Sequence, residues 1–363
     1  MKDSKAWKPL AALTGALAAV AGAAALNAAV ARPLGSLPNF IGGDAGWYEW
    51  RGYRIAWTRR GTGPAVLLVH SIHAAGCSYE WLHAVDPLAA AGHTVWTLDL
   101  LGFGRSDRPD LDYSARLYVD LLRDFITEAI AEPTVLVASS LSGAHAVAVA
   151  AGFRAVSALV LVGPPGITIL AKPAGPANDA THAMIVAPLA GQALFNALVT
   201  KPSLAFFLRR TYHDDALVTP ALLDAYSATA HQPGARYAPA AFLGMRFNLY
   251  VGGALGRVRQ PILLTWGREA EEVPLTELDE YRAIRPDAHV RTFESCGALP
   301  HDERTAEWCV AVLDFTAGVR RAAAEGSEES LAMAARPTAG SPPFDGSPSY
   351  TLATSPAAPS ADR

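Results

Sequence analysis

Between about Trp47 and Arg320 the chain alternates apolar runs of strand length with amphipathic stretches of helix length, and this alternation most narrows the folds open to it. A strand covered on both faces reads as a continuous apolar run, whereas a helix lying on a sheet shows one apolar stripe. The segments AVLLVHS, HTVWTLDL, PTVLVAS, VSALVLVG, PILLTW and HVRTFES predict successive strands, and WYEWRGYRIAW predicts a hairpin turning at Arg51-Gly52. SYEWLHAVDPLAAAG, YSARLYVDLLRDFITEAI and SGAHAVAVAAGF predict helices in three of the gaps, and TAEWCVAVLDFTAGVRRAAA predicts a closing helix. The order implies an α/β fold, a mostly parallel central sheet flanked by helices. The stretch from about Gly166 to Arg259 is too long for a simple crossover. Helical apolar spacing in APLAGQALFNALV and PSLAFFLRRTY predicts a helical lid over about residues 166–259.

The two ends of the 363-residue chain differ from this middle, which we place at residues 45–321. Residues 322–363 are rich in Ser, Pro, Gly and Ala and poor in large apolar side chains. Such a composition does not bury enough surface to offset ordering entropy and predicts a disordered tail. In residues 1–32, Lys2, Lys5 and Lys8 precede an uncharged run from Pro9 through Ala31. That pattern predicts a signal peptide or a membrane anchor, and its length, near the ~20 residues of a spanning helix, favours the anchor. The expected location is therefore membrane-anchored, or secreted if the segment is cleaved. A formal charge of −4 offers no basic surface for nucleic acid. Cys77, Cys296 and Cys309 lack zinc-type spacing, and an odd count leaves at least one thiol unpaired.

The stretch VASSLSGAHAV runs a strand directly into a helix. A serine on such a sharp turn exposes its oxygen in a strained backbone conformation and tolerates only small residues two positions away. Ser140 meets that rule with Ala138 and Ser142, whereas a nucleophile at Ser142 would lie inside the helix and Ser139 is an ordinary turn serine. Taken in order, LLVHS followed by Ile72, DLLGFGRSDRP, VASSLSGAHAV, PILLTWGREAEEVPL and CGALPHDER resemble the motifs of the α/β-hydrolase family, esterase- and lipase-like serine hydrolases. The resemblance implies Ser140 as nucleophile and the backbone N–H groups of Ile72 and Leu141 as the oxyanion hole. It also implies a structural role for His70 at a strand end, and no cofactor or metal. GFGRSD lacks the GxGxxG spacing of a dinucleotide site.

The sequence departs from the family where the acid and base belong. Ala270 stands at the triad Asp position and Ala298 at the triad His position. Glu269 precedes the first by one residue, and His301 follows the second by three, which on a helical turn returns to the same face. These two are the candidate replacements, with His73 and His231 as further histidines near the expected mouth. Two functions stay open. One is a serine hydrolase acting on carboxylic esters through an acyl-enzyme on Ser140, with His301 as base and Glu269 orienting it. The other is an inactive α/β-hydrolase-fold protein that binds a ligand or partner. The apolar ALFNALVTKPSLAFFLRR and a membrane tether point to a small hydrophobic ester or acyl ligand. If His301 is only a catalytic base, His301→Ala should leave the fold intact.

Overall fold

In the computed structural model, which describes residues 21–22, 24–30 and 37–325, eight strands form one sheet. β1 (Asp44–Trp50) and β2 (Tyr53–Arg60) make the expected hairpin. Arg51 and Gly52 at its turn have φ of 52° and 83°, the left-handed geometry that matches strand twist in a two-residue loop. β3 (Ala65–Val69), β4 (Thr94–Leu98), β5 (Thr134–Ser139), β6 (Val156–Val162), β7 (Ile262–Gly267) and β8 (His289–Phe293) follow. The spatial order is β1-β2-β4-β3-β5-β6-β7-β8, antiparallel from β1 through β4 and parallel from β4 to β8. From β3 the chain first adds β4 on one side and then β5 on the other. Such a reversal opens a crevice at the carboxyl ends of the strands, and both Ser71 and Ser140 lie just beyond those ends.

The central strands are apolar throughout because both sheet faces are covered. On one face Leu67, Val69, Leu136, Leu159 and Leu264 pack with α2 (Ala115–Asp124) and α3 (Ser142–Ala150), α1 (Leu82–Ala90) lying on the other face. There Val66, Leu68, Val137 and Val160 meet Val85 and Leu88 of α1. Each such side chain contributes roughly 1.5–3 kcal/mol on burial. The Ser114 hydroxyl caps α2 by accepting from the Leu117 N–H. The chain continues through Ile130 as a wider π turn rather than the single α-helix that the pattern predicts, and ends with Ala131 in the left-handed conformation.

Seven α-helices lie between β6 and β7, among them α4 (Ala190–Leu198) and α5 (Lys201–Thr211). Their apolar sides form a third core around Phe195, Leu208 and Tyr226. α6 (Thr305–Glu325) closes the fold and buries Trp308, Val312 and Phe315 against the face that carries α1. Residues 322–325, which the sequence assigns to the tail, continue α6 as helix, while the rest of the expected tail and most of the N-terminal apolar run lie outside the described residues. Among the described residues no helix is long and apolar enough to cross a membrane.

Candidate functional site

β5 stops at Ser139, and Ser140 turns the chain into α3 at φ +50°. For a residue with a Cβ this conformation costs on the order of 1–3 kcal/mol. The turn is held by the Ser140 N–H donating to the Val162 carbonyl and the Gly143 N–H donating to the Ser140 carbonyl, both at 2.8 Å. Ser142 does different work. Its buried hydroxyl donates to the His70 carbonyl at 2.6 Å and ties the elbow to the end of β3. His70 accepts from the Leu100 N–H on Nε2, so its proton sits on Nδ1 and reaches the Ser71 carbonyl at 2.7 Å. Its role is structural, as the resemblance implies.

Ser140 lines a cavity of about 680 Å³ together with Leu141, Ser71 and Ile72. Neither the Ile72 nor the Leu141 N–H donates a hydrogen bond among the described residues, so both amides are free for a ligand oxygen. Leu198 and Phe207 from the inserted helices, with Phe242 and Leu299, make most of the remaining wall apolar.

The loops after β7 and β8 meet beside this cavity. A Cβ on Gly267 would collide with the Gly297 carbonyl, and one on Gly297 would collide with the Thr211 carbonyl, so glycine is required at both crossings. Ala298 faces the cavity, its N–H donating to the Thr211 carbonyl at 2.8 Å, while Ala270 is only 6% exposed. Neither can transfer or hold a proton. Glu269 does not reach the cavity. Its N–H donates to the Cys296 carbonyl at 3.0 Å and its carboxylate accepts from the Cys296 N–H at 2.8 Å, latching the two loops together.

The structure also keeps His301 away from Ser140. Its face relation to Ala298 assumed one continuous helical turn, but Leu299 has φ −119° and ψ 64° and the helix begins only at Pro300. The side chain is completely buried, its ring 4.1 Å from that of Trp81 and 5.8 Å from that of Trp308. Nε2 lies 3.2 Å from Oε1 of Glu80, a charge contact without hydrogen-bond alignment. The other Glu80 oxygen accepts from the Ser71 N–H at 2.8 Å and from the Ser71 hydroxyl. Burial alone would raise the Glu80 carboxyl, but His301, Ser71 and Ser139 outweigh it and hold it at about 2. His301 therefore backs the oxyanion loop from inside the protein.

Other polar groups do face the cavity. His73 accepts from the Ala75 N–H on Nδ1 at 3.3 Å and packs against Tyr226, and burial lowers it to about 4. Its remaining proton is on Nε2, which suits donation to a ligand rather than proton abstraction. His231 hydrogen-bonds the Ser227 carbonyl at 2.7 Å, away from the cavity lining. Glu272 is the group that the sequence reading missed. It lies at the cavity wall, accepts from the Thr211 hydroxyl at 3.2 Å, and is raised above the usual carboxyl range by burial. Thr211 thus touches both Glu272 and Ala298. The readable signal was Glu272's place two residues past Ala270 in the acid loop. Cys77, Cys296 and Cys309 are free and buried, and burial pushes Cys77 up to about 12 and Cys309 to about 11. Among the described residues no group of His, Cys, Asp and Glu could hold a metal ion.

Comparison with known proteins bears on the family and the fold. An uncharacterised protein of Mycobacterium tuberculosis is 29% identical over 272 residues, covering 69% of this chain and 75% of that protein. A 2-hydroxy-6-oxononadienedioate/2-hydroxy-6-oxononatrienedioate hydrolase of Comamonas testosteroni is 26% identical over 274 residues, covering 73% of this chain and 92% of the enzyme. The crystal structure of a bacterial membrane phospholipase A superposes with a TM-score of 0.61 at 23% identity, covering 86% of this chain and 99% of that one. The model of the alpha/beta hydrolase family matches residues 66–312, and the chain belongs to that family.

Proposed function

We propose that this protein hydrolyses a small hydrophobic carboxylic ester through an acyl-enzyme on Ser140. The observation that carries the reading is Ser140 itself, held at φ +50° on the floor of an apolar cavity beside the two free amides of Ile72 and Leu141. Glycine would relieve the strain at that position, and serine adds an oxygen where a carbonyl carbon would lie.

With Ala298 and Ala270 in the usual positions and His301 sealed behind Trp81, the base is assigned to Glu272. As Ser140 Oγ bonds to the ester carbon, its proton passes to the Glu272 carboxylate, and the carbonyl oxygen takes negative charge beside the Ile72 and Leu141 amides. Collapse breaks the ester C–O bond, and the leaving alkoxide recovers the proton from Glu272. Water then attacks the acyl-enzyme by the same route and regenerates Ser140. The substrate class follows from the lining, which carries two carboxylates, Glu272 and Glu277, and no lysine or arginine. A dianion such as the dioate named for the Comamonas enzyme would find no countercharge here, whereas a neutral ester would need none. Membrane association through the N-terminal segment is part of the proposal and would supply such ligands.

The test is labelling with a fluorophosphonate probe together with turnover of short p-nitrophenyl esters. Labelling that disappears in Ser140→Ala, with turnover reduced in Glu272→Gln, supports hydrolysis. Absence of labelling in the folded protein across a wide pH range overturns it. The buried His301 and the two alanines would then favour the second reading, an acyl-binding protein without turnover.

A further inference from the structure

Several of the large apolar side chains that remain exposed gather around the cavity opening. Ile169, Leu198, Phe207 and Leu243 line the cavity and are also exposed, with Phe207 at 55%. Beside them Phe206 on α5 is 60% exposed, and Leu189 at the start of α4 is exposed as well. Single exposed apolar residues are ordinary, but a cluster drawn from several elements around one opening marks a contact surface.

The cations nearest Phe206 lie on α5, while the carboxylates Asp215, Glu271, Glu272 and Glu277 also stand near the opening. Arg209 and Arg210 follow Phe206 by three and four residues, which puts them on its side of α5. Their carboxylate partners, Asp215 and Glu271, stand 3.9 and 3.7 Å away across more than half-exposed side chains. Ion pairs of that kind contribute little and are readily exchanged for another anion. Phenylalanines flanked by guanidinium groups suit the boundary between acyl chains and anionic headgroups.

The N-terminal segment reaches the same face. Asn27, on a helical stretch through residues 24–30, donates through Nδ2 to the Leu189 carbonyl at 3.1 Å. Its Oδ1 accepts from Asn196 of α4 at 2.9 Å. This stretch is the C-terminal part of the uncharged run from Pro9 through Ala31.

We infer that the face formed by α4, α5 and the cavity rim docks onto an anionic lipid bilayer, with Phe206 and Phe207 in the acyl boundary and the cavity opening toward the lipid. The inference deepens the ester-hydrolase reading by naming the source of its substrate, but docking itself requires no turnover.

The test uses the full chain in vesicles of phosphatidylcholine and phosphatidylglycerol. Phe206→Cys is labelled with a nitrobenzoxadiazole fluorophore under native conditions, where the three natural cysteines are buried. Val310→Cys on α6, at a position 57% exposed and outside the inserted helices, is the control. Docking predicts a blue-shifted emission at residue 206 that nitroxide-labelled lipids quench by about half, and none at 310. A water-like, unquenched emission at 206 on vesicle-bound protein overturns the inference. So does a blue shift without lipid quenching that disappears as the protein is diluted, which would mean that a second copy covers the face. Quenching without fluorophosphonate labelling would retain the docking and remove the hydrolysis, and labelling without quenching would do the reverse.

Discussion

Removing His301 is expected to damage the fold, contrary to the expectation that a residue acting only as a catalytic base could be deleted without structural effect. In His301→Ala the Glu80 carboxylate loses the imidazole that lies 3.2 Å from it while remaining buried beside Ser71. Leaving a buried carboxylate short of a polar partner costs about 1–3 kcal/mol or more. The depression of Glu80 from 4.5 to about 2, which His301 shares with Ser71 and Ser139, corresponds to on the order of 3 kcal/mol of charge-dependent stabilisation in total. Because the folded pKa lies below the unfolded one, this contribution is complete above pH 4.5 and is lost as pH falls through about 2. The assay is urea unfolding followed by circular dichroism at pH 7, 5 and 3, with thermal unfolding as a second measure at about 2–4 °C per kcal/mol. The parent should weaken between pH 5 and 3, and His301→Ala should weaken less over that range from a lower starting point. Glu80→Gln combined with His301→Ala should cost less than the two single changes summed, because the double variant leaves no lone buried carboxylate. A His301→Ala variant within about 1 kcal/mol of the parent at pH 7 would refute the reasoning.

Further outcomes follow from the same contacts. Gly297→Ala drives a methyl into the Thr211 carbonyl and toward the Glu303 carboxylate, and should cost about 3 kcal/mol or more in urea unfolding, whereas Gly253→Ala, whose methyl would meet only the end of the Arg257 side chain at an ordinary 3.7 Å, should change little. Turnover by the Glu272 carboxylate should fall as pH drops through its raised pKa, and Glu272→Gln should flatten that limb of the pH–rate profile. Ala270→Asp with Ala298→His should raise ester turnover about 10²–10⁴-fold, since Ala298 already faces the cavity with Ser140, and no gain in the folded variant would count against a competent elbow. An N-terminal anchor predicts that the full chain sediments with membranes, resists high-salt extraction and retains Lys2, whereas a soluble chain beginning near Arg32 would establish cleavage.

The fold was legible because its signals are local and repeated. β3, β5 and β6 are continuous apolar runs, and the Arg51-Gly52 turn and the Ser140 elbow declare themselves through conformations that few residues tolerate. The register that the resemblance gives Ala298 rests on Gly297, Pro300 and Glu303, and the structure places Ala298 at the cavity wall. What filled or failed to fill the role of the triad His was not legible. The i, i+3 relation between Ala298 and His301 holds only on one unbroken helix, and a single non-helical residue, Leu299, turns the imidazole to the other side of the chain. Glu80, its partner, lies more than two hundred residues earlier, and no short-range pattern connects them.

That long-range pairing changes how retained residues in this family fold should be read. A histidine beside the usual catalytic position looks like a displaced base when only sequence spacing is considered. Here Trp81 and Trp308 close over it, and Glu80 links it to both the N–H and the hydroxyl of Ser71, the residue before Ile72. An ionised carboxylate inside the protein is stable only while its partners stay in place. The pair therefore fixes the loop on which the Ile72 amide is carried. Loss of His301 would impair a Ser140 reaction even though its imidazole never touches the substrate, and reduced turnover in His301→Ala is no proof of a base. Only Glu272→Gln, which leaves the Glu80–His301 pair intact, separates proton transfer from support of the oxyanion loop.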